Sequence, residues 1–184
     1  MKDLFFLPII LCICIVGGFL LQIILPGDLA WLGIRPRSLI GLIGILLSPF
    51  LHGSLQHLVA NLIPLFVLAC FVNLLAPELF FRRTIVLIFV SGLLTWLASS
   101  SGLVIGASGL VFAYWAFLLS NGVLNRRIKD IGIAVLTLVF YGALIFSLLS
   151  YQKGISWVGH ISGVIAGIGF AISSAKMSIN SQTK

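Results

Sequence analysis

The chain has 184 residues, of which 60% are hydrophobic and only 8% charged, and its formal net charge is +7. A soluble domain carries about 25% charged residues to cover its surface, so the composition excludes an ordinary soluble enzyme. The basic residues flank apolar blocks, where they read as topology signals and anionic-lipid contacts, with no call for nucleic acid.

Leu4 to Leu25 contains no charge and, at ~1.5 Å per residue, is long enough to cross a hydrocarbon core of ~30 Å. Its apolar run exceeds the length of a signal-peptide core, and no small-residue cleavage site follows, so it reads as a retained span. Five more spans follow: His57–Leu75, Thr84–Leu97, Ser108–Leu124, Ile131–Leu149 and Ser156–Ser173. The first connection, Pro26 to Gln56, is long and half apolar. Its Leu39–Phe50 portion is too short to span and is expected to lie in the interface or dip into the membrane. The expected architecture is all-α: one polytopic domain over residues 1–176, followed by a polar, disordered tail over 177–184. Cys12, Cys14 and Cys70 lie inside apolar blocks and read as small core residues, neither a disulfide nor a metal site.

With the N-terminus inside, the inner side holds Lys2, Arg82, Arg83, Arg126, Arg127, Lys129, Lys176 and Lys184, and the outer side Arg35, Arg37 and Lys153. Eight against three is a positive-inside bias that puts both termini in the cytoplasm. The second, fourth and sixth spans then all enter from outside. His57 with Asn61, Ser108, and His160 therefore come to one membrane depth. The fourth span, at roughly 25 Å, is short for the core, and the stretch from Ala98 to Gly106 before it looks irregular. Non-helical backbone at depth is tolerated only inside protein or beside a wet cavity, so Ser108 should open onto a submerged pocket.

Each polar residue has a structural and a chemical reading. Ser108, in Gly106-Ala107-Ser108-Gly109, is either a helix N-cap or a nucleophile whose helix N-terminus steadies an oxyanion. His160 is either an interhelical polar contact or the base for that serine. Gly163 and Gly167 share a face with His160, and small residues spaced by four let helices approach closely. Gly109 and Ala113 offer the matching pair on the fourth span. His57 and Asn61, four apart, either anchor the long loop or donate to an oxyanion. His52 reads as a loop anchor. Pro64 removes a hydrogen bond to the Ala60 carbonyl and predicts a kink. The acidic residues are Asp3, Asp28, Glu78 and Asp130. Only Asp28 falls on the outer side, so a Ser108–His160 dyad is simpler than a triad.

With His52-x4-His57-x3-Asn61, Gly106-Ala107-Ser108-Gly109 and His160-x2-Gly163-x3-Gly167 in this order, the chain resembles a bacterial rhomboid intramembrane serine protease over roughly Ser48 to Ala171. The resemblance implies a six-transmembrane-helix bundle, multi-pass in the bacterial cell membrane, working without a cofactor or metal. Its substrates would be transmembrane proteins cut near the outer face, beside small and helix-weakening residues. Ser108 would be the nucleophile and His160 the base. The oxyanion hole would comprise the Ser108 N–H, His57 and Asn61, with His52 supporting the first loop. Phe112 stands where many relatives carry a tyrosine stacked on the catalytic histidine, and keeps the ring. The first loop offers Trp31 and Gly33-Ile-Arg35-Pro-Arg37 in place of a Trp-Arg pair, and the Tyr151–Ile155 loop is a candidate cap over the pocket. Two rival readings are a catalytically silent rhomboid-like binder of transmembrane helices, and a metal- or proton-handling protein using His52, His57 and His160.

Overall fold

The computed structural model describes residues 2–100, 102–149 and 156–182. The predicted Tyr151–Ile155 cap, with Lys153, lies outside the described residues. Eight α-helices are present among those residues: α1 (Lys2–Ile24), α2 (Leu39–Leu47), α3 (Leu55–Leu75), α4 (Phe80–Ala98), α5 (Ser108–Asn125), α6 (Ile128–Tyr141), α7 (Leu144–Leu149) and α8 (Trp157–Gln182). No strand is formed by the described residues; one isolated antiparallel bridge joins Ile34 to Val104. The fold is an all-α membrane bundle.

Four segments are long and apolar enough to cross a membrane: Leu4–Ile24, Leu55–Leu75, Pro77–Ala98 and Trp157–Lys176. The other two predicted spans differ from simple lipid-facing helices for distinct reasons. α5 is the central helix, with Leu110 through Leu118 all buried, so its apolar residues meet protein instead of lipid. The fifth span breaks at Gly142, leaving α6 and a short α7. α8 runs to Gln182. The helix thus continues past Lys176, where the sequence suggested a disordered tail.

Local chemistry sets the helix starts. Ser38 accepts the Gly41 N–H at 3.1 Å and Ser54 accepts the His57 N–H at 3.1 Å. Each satisfies one of the amides a helix leaves unpaired at its N-terminus. Replacing Ser54 by alanine removes a cap of the kind that contributes about 1 kcal/mol. At the other end of α5, Arg126 takes a left-handed conformation and its N–H returns to the Gly122 carbonyl.

Apolar burial gives little preference for helix over lipid, so close packing and buried hydrogen bonds hold such a bundle. The most extensive contact is α5 against α8. A Cβ on Gly163 would come within 2.3 Å of the Gly109 carbonyl, and one on Gly167 within 2.3 Å of the Ala113 carbonyl. Only glycine lets the two backbones meet there. Deeper in the bundle, the Tyr114 and Thr84 hydroxyls share a buried 2.6 Å hydrogen bond, and Thr84 donates to Phe80 at 2.8 Å.

The first loop braces the stretch that leads into α5. Ile34 and Val104 exchange two backbone hydrogen bonds of 2.9 Å, and the Gly106 N–H donates to Ser48 at 2.8 Å. Arg37 donates to the carbonyls of Leu97 at 3.3 Å and Ser100 at 3.1 Å, and Trp96 donates to Ser38 at 2.9 Å. These bonds pair backbone groups that a hydrocarbon environment would otherwise leave unsatisfied. Trp31 is 46% exposed, and its backbone N–H donates to the Asp28 carbonyl at 3.5 Å.

Candidate active site

Ser108 is the first residue of α5, and the N-cap position belongs to Ala107, with no side-chain cap bond. The hydroxyl therefore does not do the capping that would be its plain structural use. Gly106, at φ 109°, makes the turn into the helix in a region that residues with a Cβ rarely enter. It also leaves room for a neighbour: a Cβ there would lie 2.7 Å from His57 Nε2. His57 is thus seated against the turn that carries Ser108.

His160 lies one turn into α8, where Ser156 accepts the Gly159 N–H at 3.1 Å and its carbonyl accepts the His160 N–H at 3.2 Å. His160 is buried, at 5% exposure. Phe112 stacks on it, with ring centroids 4.2 Å apart and planes at 27°. Phe112 is one helical turn after Ser108, so the stack sets the histidine ring beside the first turn of α5.

Ser108, His160, His57, Asn61 and Phe112 line one cavity of about 650 Å³. Three widely separated sequence clusters, on α3, α5 and α8, therefore face a single space. Gly109, Gly163 and Gly167 sit behind it in the α5–α8 seam. Ser108 also borders a small pocket of about 30 Å³ on its other side, with Ser48, Ser91 and Thr95 in the wall. That is room for water beside several hydroxyls.

Asn61 is buried, and its amide donates to the His57 carbonyl at 2.7 Å, which leaves the second amide hydrogen for another acceptor. His52 is 1% exposed and ties three elements together. Its N–H donates to Gln22 on α1 at 3.1 Å. Its Nε2 accepts the Ala107 N–H at 3.4 Å. Its ring meets His57 edge-on at 5.0 Å. Burial first, and then His57 beside it, push the His52 imidazole down to about 4. A neutral ring is the form whose Nε2 can accept from Ala107.

No carboxylate lines the cavity among the described residues. Asp28 accepts the Ala30 N–H at 2.9 Å and caps its own turn. Asp130 is buried in the first turn of α6. Sequence reasoning missed Ser147 and Leu144 of α7, and Ser156, which complete the cavity wall around His160. It also missed Ser91 and Thr95 behind Ser108. Their four-residue spacing inside an apolar span was a readable signal for a shared polar face.

The rhomboid domain model matches residues 40–176. Uncharacterized proteins of Mycobacterium tuberculosis and Mycobacterium bovis are each 39% identical over 145 residues, taking in 74% of this chain and 60% of theirs. One from Mycobacterium leprae has the same identity and covers 57% of its own length. This chain thus spans about 60% of the length of the curated relatives it matches. The helical architecture and the family match agree, and the chain belongs to the rhomboid domain family of integral membrane proteins.

Proposed function

We propose that the chain is an intramembrane serine endopeptidase that cleaves transmembrane segments near the outer face, with Ser108 as nucleophile and His160 as base. The observation that carries this reading is the convergence of Ser108, His160, His57 and Asn61 from three helices onto one cavity, with Phe112 holding the histidine ring. Ser108 Oγ attacks the scissile carbonyl carbon as His160 takes its proton. The carbonyl oxygen becomes an oxyanion, met by the Ser108 N–H at the helix start, His57 and the free amide hydrogen of Asn61. The C–N bond breaks, the amine leaves with the proton from His160, and the acyl group remains on Ser108. Water, deprotonated by His160, then attacks the ester; the acyl–Oγ bond breaks, Ser108 takes back the proton from His160, and the acid is released. The hydroxyl-lined pocket beside Ser108 is a source for that water.

A helix hides its carbonyls in its own hydrogen bonds, so a substrate has to unwind before Ser108 can reach one. Helix-weakening residues near the cut follow from that requirement. The eight-to-three bias in basic residues supports both termini in the cytoplasm and the cavity toward the outer side.

The test is gel analysis of a transmembrane model substrate co-reconstituted in liposomes with the wild type or Ser108→Ala. Cleavage by the wild type alone, with phosphonate labelling lost in Ser108→Ala, is the expected result. Equal cleavage by Ser108→Ala would remove Ser108 as nucleophile.

A further inference from the structure

The wall of the cavity includes Ala60 and Pro64, which hydrolysis as described leaves unused. α3 continues from Leu55 to Leu75 with Pro64 inside it. Proline has no N–H, so the Ala60 carbonyl four residues earlier lacks its helical donor, and the proline ring crowds it aside. Such a proline persists in a membrane helix where a side chain, water or bound group takes the freed carbonyl. The neighbouring amide, Asn61, is turned to the His57 carbonyl instead.

Position decides what the carbonyl can serve. His57, Ala60, Asn61 and Pro64 recur at spacings of three and four and form one stripe of α3. All four line the cavity that contains Ser108 and His160. Ala60 is exposed and Pro64 half-buried. An unwound substrate strand presents carbonyl and N–H groups along one edge, from every second residue. With its scissile carbonyl turned to His57 and Asn61, a neighbouring N–H on the same edge comes to the Pro64 end of the stripe, toward which the Ala60 carbonyl points.

We infer that the Ala60 carbonyl, released by Pro64, is a subsite for a backbone N–H of the substrate strand beside the scissile bond. Pro64 is its positioning residue. The subsite reads unwound chain and ignores side-chain identity, because an N–H still inside a substrate helix already has a partner. This inference rests on the protease reading, and its test separates the two.

The experiment uses the full chain in liposomes and a set of synthetic transmembrane substrates. Each substrate carries one backbone amide replaced by an ester within three residues of the cut, which removes one N–H. Ser108-dependent cleavage of the all-amide substrate is scored first and tests the protease reading alone. In the wild type, one ester position should lower kcat/KM by about five- to tenfold, the loss expected for one hydrogen bond. Pro64→Leu restores an N–H to α3, so the Ala60 carbonyl is taken up within the helix. That variant should lose a similar factor on the all-amide substrate and show no further loss with the ester. Labelling of Pro64→Leu by a small phosphonate, which carries no strand, reports that its site is folded. Ester and Pro64→Leu losses that multiply overturn the inference. So does a wild-type scan in which no ester position matters, the result expected if water alone occupies the carbonyl, and that result holds whether or not Pro64→Leu folds.

Discussion

Gly163 lies so close over the Gly109 carbonyl that a Cβ added to it would stand 2.3 Å from that oxygen. The contact sits one turn below His160 on α8 and next to Ser108 on α5, so the spacing of the two helices is fixed beside the site.

Gly163→Ala and Gly167→Ala should therefore separate α5 from α8, lowering both the melting temperature and the cleavage rate. Backbone atoms are the obstacle in each case, with Ala113 O at 2.3 Å and Phe117 N at 2.8 Å from the Gly167 position. Gly169 on the same helix is the control, since nothing lies within 4 Å of its Cβ position. Gly169→Ala should be neutral or stabilise by up to about 1 kcal/mol through helix propensity. Thermal melts of the three variants in detergent, with rates normalised to folded enzyme, check this. Equal behaviour of Gly163→Ala and Gly169→Ala would refute packing as the role of Gly163.

His52 gives a pH signature. Burial, then His57, hold its imidazole down to about 4, against an ordinary value near 6.5. The unfolded chain therefore binds this proton more readily than the folded one. The stability contributed by neutral His52 is whole above pH 6.5 and is lost as pH falls toward 4. Between those values the melting temperature of the wild type should drop relative to His52→Gln, while above pH 7 their difference stays constant. Parallel curves for the two proteins across the acid range would assign the titration elsewhere.

Much of this arrangement was legible because membrane chains write their structure in long blocks. Five of the six apolar runs correspond to one helix each (α1, α3, α4, α5 and α8), the short apolar stretch Leu39–Phe50 holds α2, and the segment before Ser108 is non-helical. The break at Gly142 was not legible, because α6 and α7 together read as one apolar run and a lone glycine does not stop a helix on its own. The burial of α5 was hidden for a related reason. Hydropathy reports apolarity and cannot tell lipid contact from protein contact. Within the site, the convergence of His57, Ser108 and His160 followed from topology alone. The use of the Asn61 amide on the His57 carbonyl, and the bridge from His52 to Ala107, depend on side-chain rotamers that spacing does not encode.

Topology is open to direct measurement. The eight-to-three distribution of Lys and Arg predicts that tags at both ends are protected in intact cells and exposed in inverted vesicles. The first loop should face out, so a cysteine at Arg35, in a variant lacking Cys12, Cys14 and Cys70, should react with an impermeant maleimide added outside. Labelling of either terminus from the outside would reverse the orientation, and with it the side of the membrane on which the cavity lies.

The oxyanion donors can be separated from loop anchors by comparing rate with stability. His57 is seated against Gly106, and Asn61 already spends one amide hydrogen on the His57 carbonyl. If that is all they do, His57→Ala and Asn61→Ala lower the melt and leave the rate per folded molecule unchanged. If they meet the oxyanion, the rate falls while the melt holds. Loss of one such donor costs about 10²–10³ in turnover where no other compensates. Here the Ser108 N–H and the remaining side chain compensate in part, so each single variant should sit at or below the lower end of that range. On the proposed mechanism Ser108 forms the acyl bond and His160 moves the proton, so Ser108→Ala and His160→Ala should be far worse. His52→Ala should act mainly through stability, because its bonds run to Gln22 and Ala107 and it is not among the cavity-lining side chains. Initial rates in liposomes, each normalised to folded enzyme and paired with a melt, give the order. A His57→Ala/Asn61→Ala double variant that melts normally and cleaves at the wild-type rate would leave the oxyanion to the backbone alone.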